Sequence, residues 1–282
     1  MNDRLPGDLM TVGGDHLHVV AEGTGKPPLL LSAGLGGAWF DWIPVVSLLR
    51  DAYRVIAFDR PGLGGSPPVR RAATLRAEAD RLAELARWAG APVVLVAHSF
   101  AGFHAEAFAR LHPELVGGMV LVDPSAEPRP PKYSRPLTRL EPLARLAGTV
   151  AGATGVARLA GPAAYGLAMR LLTTRGNVAP PEYVQVVCTR GHVLGTLLAE
   201  DSVYRQMAVD LLTLRCHREF PDIPLRVITA LGDMRGGRDA WRRAHADLAA
   251  LSPRGRQVVL PDVGHLVQID RPEAVAEAVR DL

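Results

Sequence analysis

Seven short apolar runs recur along the chain, at 16–21, 28–32, 54–58, 92–97, 118–122, 225–229 and 257–260. Each is four to six residues long, rich in Val, Leu and Ile, and flanked by polar, Gly or Pro positions, the pattern of buried strands. Most of the intervals carry apolar residues three or four apart, as in Trp42, Val45, Val46 and Leu49, or Leu82, Leu85 and Ala86, with a last example at 274–279. That spacing predicts amphipathic helices. Strands alternating with helices imply an α/β fold, with a mainly parallel sheet of about eight strands covered by helices on both faces. Right-handed crossovers then bring the loops that follow the strands to one sheet edge, where sites of such folds gather.

The alternation breaks after Val122 and resumes at Pro224. The interval opens with Asp123-Pro-Ser-Ala-Glu-Pro-Arg-Pro-Pro and continues with helical spacing over 137–146, 163–172 and 182–214. A structureless loop of that length is improbable in a compact domain. The expected organisation is a core domain from 1–123 and 223–282, interrupted by a helical cap at 124–222. Met169, Leu171, Leu172, Val187 and Leu197 would form an apolar pocket wall, or else the cap's own core.

Composition narrows the picture. With 48% hydrophobic and 22% charged residues in 282, the chain can bury a full core without staples. No apolar run approaches the ~18–20 residues of a membrane span. The N-terminal Met-Asn-Asp-Arg-Leu-Pro-Gly lacks the apolar centre of a secretory signal, so a cytoplasmic chain is expected. Of 32 basic residues only Lys26 and Lys132 are lysine, and the arginines are dispersed among 29 acids. A nucleic-acid footprint would cluster that charge, so no nucleic-acid partner is expected. Cys188 and Cys216 have neither metal-site nor redox spacing, and no metal or cofactor is expected. Two glycine-rich stretches fail as dinucleotide fingerprints. Trp39 completes the one from Gly34 and Gly36, and Pro67 the one from Gly62 and Gly64, where a small residue is required; a phosphate-loop lysine is missing too.

Four stretches carry candidate chemistry. In Val93-Val-Leu-Val-Ala-His-Ser-Phe-Ala-Gly102 a buried strand runs into Ser99 and a helical pattern follows at once. A serine on so sharp a turn stands above the sheet edge as a nucleophile. The alternative is a serine that caps the helix. Gly264-His265 follows the last strand, from which an imidazole can reach Ser99 as general base. His98 precedes the serine and should point away from its hydroxyl, in a structural role. Two acids end strands and could orient His265: Asp233, after the strand at 225–229, and Asp123, after the strand at 118–122. Asp233 is narrowly preferred, and Asp239 is a weaker third choice. Either carboxylate could instead cap a helix. Finally, the loop Ala33-Gly-Leu-Gly-Gly can aim the Leu35 amide at a developing oxyanion, with the Phe100 amide as its partner.

Taken together, Leu31-Ser-Ala-Gly-Leu-Gly-Gly, Asp59-Arg-Pro-Gly-Leu-Gly-Gly-Ser66, Ala97-His-Ser-Phe-Ala-Gly102, Val120-Leu-Val-Asp123, Ala230-Leu-Gly-Asp233 and Gly264-His265 resemble the α/β-hydrolase fold superfamily over nearly the whole chain. The resemblance implies a Ser-His-acid hydrolase with a helical cap inserted after the sixth strand. The sequence departs from the family pattern in three places. Ala33-Gly34 stands where the family carries His-Gly, so the hydrogen bonding that steadies the loop must differ. Ala97 and Ala101 replace the elbow glycines. Ala230 replaces the glycine usual before the acid, which keeps Asp123 in contention. The leading expectation is a serine hydrolase of a small to medium carboxylic ester, acting through an acyl-enzyme. A cofactor-free lyase or perhydrolase, or a silent hydrolase-like binding protein, are the alternatives. The partner is then a small ester-like molecule.

Overall fold

Strands covered on both faces should be apolar throughout rather than alternating, and the central ones are. A computed structural model describes residues 5–69, 73–126 and 137–282. Among them β1 (Asp8–Val12), β2 (Asp15–Glu22), β3 (Leu29–Ser32), β4 (Val55–Phe58), β5 (Val93–His98), β6 (Val116–Val122), β7 (Leu225–Ala230) and β8 (Gly255–Leu260) form one sheet in the order β1-β2-β4-β3-β5-β6-β7-β8. Every residue of β3, β4, β5 and β7 is buried. β1 and β2 pair antiparallel with their neighbours, and the remaining pairs are parallel. β1 is the strand that the apolar pattern missed. It lies at the sheet edge with only Val12 buried, so it has no apolar run to show. Gly13 and Gly14, both at positive φ, make the two-residue turn that returns it onto β2.

Helices close both faces. α1 (Ile43–Leu49), α9 (Val267–Asp270) and α10 (Pro272–Arg280) pack one side around Trp42, Val45, Val267 and Val275. α2 (Leu75–Ala89) and α3 (Ala101–Leu111) pack the other around Leu82, Phe103 and Phe108. α8 (Arg238–Ala249), which the sequence reading did not pick out, covers β7 and β8.

Between β6 and β7 lie α4 (Glu141–Ala153), α5 (Val156–Leu172), α6 (Pro181–Cys188) and α7 (Gly191–Arg215). The single helix expected over 182–214 is two, broken at Thr189 and Arg190. The break brings Gly191 and Gly195 of α7 against Gly148 and Gly152 of α4: a methyl carbon added at Gly148 would sit 2.5 Å from the Gly195 Cα. The other end of α7 enters the main core, where Val203, Met207, Ala208 and Leu211 are buried with α3. Residues 127–136, which take in the end of the expected proline-rich lead-in, lie outside the described residues.

Candidate active site

β5 ends at His98, and α3 begins at Ala101. The chain reverses between them by placing Ser99 at φ 53, in the left-handed region that non-glycine residues rarely occupy. Three backbone bonds hold the turn: Ser99 N–H donates to Val122 O (3.0 Å), and Ser99 O accepts from Gly102 N (2.9 Å) and Ser125 N (3.0 Å). Ala97 and Ala101 are fully buried. The tightest packing has moved to Gly102, where an added methyl carbon would lie 2.8 Å from Pro124 Cβ.

His265 Nε2 stands 2.9 Å from Ser99 Oγ, and its Nδ1 stands 2.6 Å from Asp123 Oδ2. Asp123 is the other non-glycine residue at positive φ among those described, at φ 40 just past β6. The two members contributed by β5 and β6 therefore share the same rare backbone state. Asp123 Oδ1 accepts from Ala230 N (2.9 Å) and Trp241 Nε1 (3.0 Å). Burial opposes charge on this carboxyl, but the His265, Trp241 and Ala230 donors outweigh it and hold it below the usual carboxylate range. A carboxylate accepts only, so Nδ1 carries the imidazole proton and Nε2 is left to accept from the serine hydroxyl.

The preference for Asp233 over Asp123 is not what the geometry supports. Asp233 Oδ2 accepts from the backbone N–H of His265 at 3.0 Å, so it holds the loop and not the ring. His98 acts on that loop too. Its Nε2 donates to His265 O (2.9 Å), its Nδ1 accepts from Gln268 Nε2 (3.3 Å), and its ring lies 4.7 Å from the His265 ring. Burial, with His265 nearby, pushes the His98 imidazole down to about 3, which keeps it neutral. Asp239, the third acid, is exposed on α8 beside Arg242.

The loop after β3 crosses directly over the elbow: a methyl carbon added at Gly34 would lie 2.7 Å from His98 Nδ1 and 3.1 Å from Ser99 Cβ. Among the described residues, the amides of Leu35 and Phe100 donate to no acceptor. The family histidine missing at residue 33 has a substitute that sequence reasoning did not find. Arg60, buried below the loop, donates to the carbonyls of Ala33 and Gly34, the latter at 2.7 Å, and pairs with Glu200 of α7. Nothing in the sequence signals this pair, because 140 positions separate its members. Asp59, just after β4, serves structure. It accepts from Trp39 N (2.7 Å), Gly65 N (2.8 Å) and His18 Nδ1 (2.8 Å).

Of the side chains expected to wall a pocket, Leu171 and Leu172 face outward, 76% and 51% exposed, because α5 turns that side to solvent. Val187 is buried, and Leu197 packs on Gly36.

A family model described as "Alpha/beta hydrolase family" matches residues 29–278. The "Putative carbamate hydrolase RutD" of Stutzerimonas stutzeri is 26% identical over 90% of this chain and 91% of its own length. The "Putative non-heme bromoperoxidase BpoC" of Mycobacterium tuberculosis is 27% identical over 91% of this chain and 93% of its own. Two shorter matches, each 34% identical, take in only 16% and 37% of those relatives' lengths. Among solved structures, a thermophilic esterase from Thermogutta terrifontis superposes with a TM-score of 0.68, at 25% identity over 97% of this chain and 96% of that one.

Proposed function

The chain belongs to the alpha/beta hydrolase family, and from that footing we propose that it hydrolyses a small to medium carboxylic ester through an acyl-enzyme on Ser99. The observation that carries this reading is the unbroken relay from Ser99 Oγ through His265 to Asp123, at 2.9 and 2.6 Å. Ser99 Oγ gives its proton to His265 Nε2 and bonds to the ester carbonyl carbon. Asp123 holds the imidazole in the tautomer that accepts at Nε2 and stabilises the imidazolium. The carbonyl oxygen takes up negative charge, which the Leu35 and Phe100 amides receive. His265 then returns its proton to the departing alcohol. A water, deprotonated by the same Nε2, releases the acid and restores Ser99.

In this reading residues 124–222 act as a lid that selects the acyl and alcohol groups, with α7 packed on the loop after β3 through Leu197 and on Phe100 through Tyr204. The likeness to a bromoperoxidase supports a second outcome of the same acyl-enzyme. Hydrogen peroxide in place of water would attack the acyl carbonyl, releasing the acyl group as a peracid and returning a proton to Ser99 Oγ, and bromide oxidation in acetate with peroxide detects it.

A fluorophosphonate probe tests the nucleophile. The wild-type protein is expected to be labelled and to hydrolyse a p-nitrophenyl ester series, and Ser99→Ala to do neither. An unlabelled wild-type protein overturns the proposal.

A further inference from the structure

The Arg60–Glu200 pair does more than join two parts of the chain. Both side chains are almost wholly buried, at 3% and 6% exposure. Arg60 Nε lies 2.6 Å from Glu200 Oε1, and Nη2 lies 2.9 Å from Oε2. The same guanidinium donates to Ala33 O and Gly34 O, and Glu200 Oε2 accepts from Gly36 N at 3.0 Å. These bonds grip the peptide units on either side of Leu35. The Gly34 carbonyl and the Leu35 N–H belong to one planar trans peptide, in which they point in opposite directions. Holding the carbonyl towards Arg60 therefore aims the Leu35 N–H the other way. The next peptide unit is held by its own N–H, that of Gly36, on Glu200.

Glu200 comes from α7, and α7 touches the rest of this assembly at three more places. Leu197 packs on Gly36, 2.5 Å from where a methyl carbon would be, and Thr196 packs on Gly62. Tyr204 stacks on the Phe100 ring at 5.5 Å and 24°. One face of a single helix thus bears on Phe100 and on Gly36, the neighbour of Leu35, next to both amides proposed as oxyanion donors. We propose that Arg60 and Glu200 are positioning residues that set the direction of the Leu35 amide, so that the oxyanion site is assembled only while α7 is seated. The inference rests on the hydrolase reading given above.

The test compares Glu200→Gln, which keeps shape but removes charge, with a double variant, Arg60→Met with Glu200→Met. The double variant leaves no buried charge without a partner and so keeps the fold testable. Melting curves and fluorophosphonate labelling are recorded for each. The expected result is a kcat lowered by roughly 10- to 100-fold with KM little changed, less than the loss of a whole oxyanion donor. A trifluoromethyl ketone, which forms a tetrahedral oxyanion on Ser99, should lose affinity in step with kcat/KM. Substrate affinity measured on Ser99→Ala with and without Glu200→Gln should not change. A merely structural pair would move melting temperature without that split. A folded double variant with wild-type kcat and ketone affinity overturns the inference. A wild-type protein that neither labels nor hydrolyses esters removes the hydrolase reading, and this inference falls with it.

Discussion

Two carboxylates meet one histidine, and they do different work. Asp123 faces the imidazole Nδ1 at 2.6 Å, whereas Asp233 faces the backbone amide of the same residue at 3.0 Å. Asp123→Asn should therefore cost roughly four orders of magnitude in kcat, because an amide there favours the wrong tautomer. Asp233→Asn should cost at least about a hundredfold less, since His98 still anchors the loop. Steady-state kinetics on one ester decide the matter, and equal losses would mean that neither role is as described. Order alone, a strand-turn-helix serine first and a terminal histidine last, singled out Ser99 and His265, which lie 2.9 Å apart. The acid was not. Both candidates end neighbouring strands, and the choice turns on the left-handed backbone at Asp123, which aims its side chain at the ring. No sequence pattern marks a non-glycine residue in that state.

Elements were read best where packing leaves a periodic trace. Doubly buried strands give continuous apolar runs and were visible; edge strand β8, with no buried residue, still shows Val258, Val259 and Leu260 in a row, and edge strand β1 shows no such run. Helices between β6 and β7 pack through small residues instead, and spacing alone could not find the division between α6 and α7. The α4–α7 contact has no room for a side chain at Gly148. Gly148→Val should force the helices apart and lower stability by about 1–3 kcal/mol, measured by urea denaturation. A change within about 0.5 kcal/mol would show that α4 can shift freely. Arg60 and Glu200 lay beyond any periodicity, since their relation exists only once α7 has folded back over the sheet edge.

Across the whole molecule, stability should depend on a carboxyl far from the relay in sequence. Asp41 is buried at the end of the loop after β3, accepting from Ala38 N (3.0 Å) and Tyr165 Oη (3.4 Å). Burial pushes its carboxyl up to about 7, further than these donors can hold it down. The folded protein then binds more protons than the unfolded chain between about pH 4 and 7, so stability falls as pH rises through that window. Between pH 5 and 8 the melting temperature of the wild-type protein should drop more than that of Asp41→Asn. Parallel curves would rule Asp41 out as the cause. The turn at Ser99 also costs stability, in a way that does not depend on pH. In a left-handed backbone a β-carbon costs about 1–2 kcal/mol that glycine does not incur. Ser99→Gly should thus be more stable than Ser99→Ala by about 1 kcal/mol, although glycine ordinarily weakens a fold. Calorimetry on the two variants would reveal the difference, and the reverse order would show that the elbow is relaxed. If the expected order holds, selection for activity and selection for durability pull against each other at this residue, and the proposed nucleophile persists at a cost to the fold that carries it.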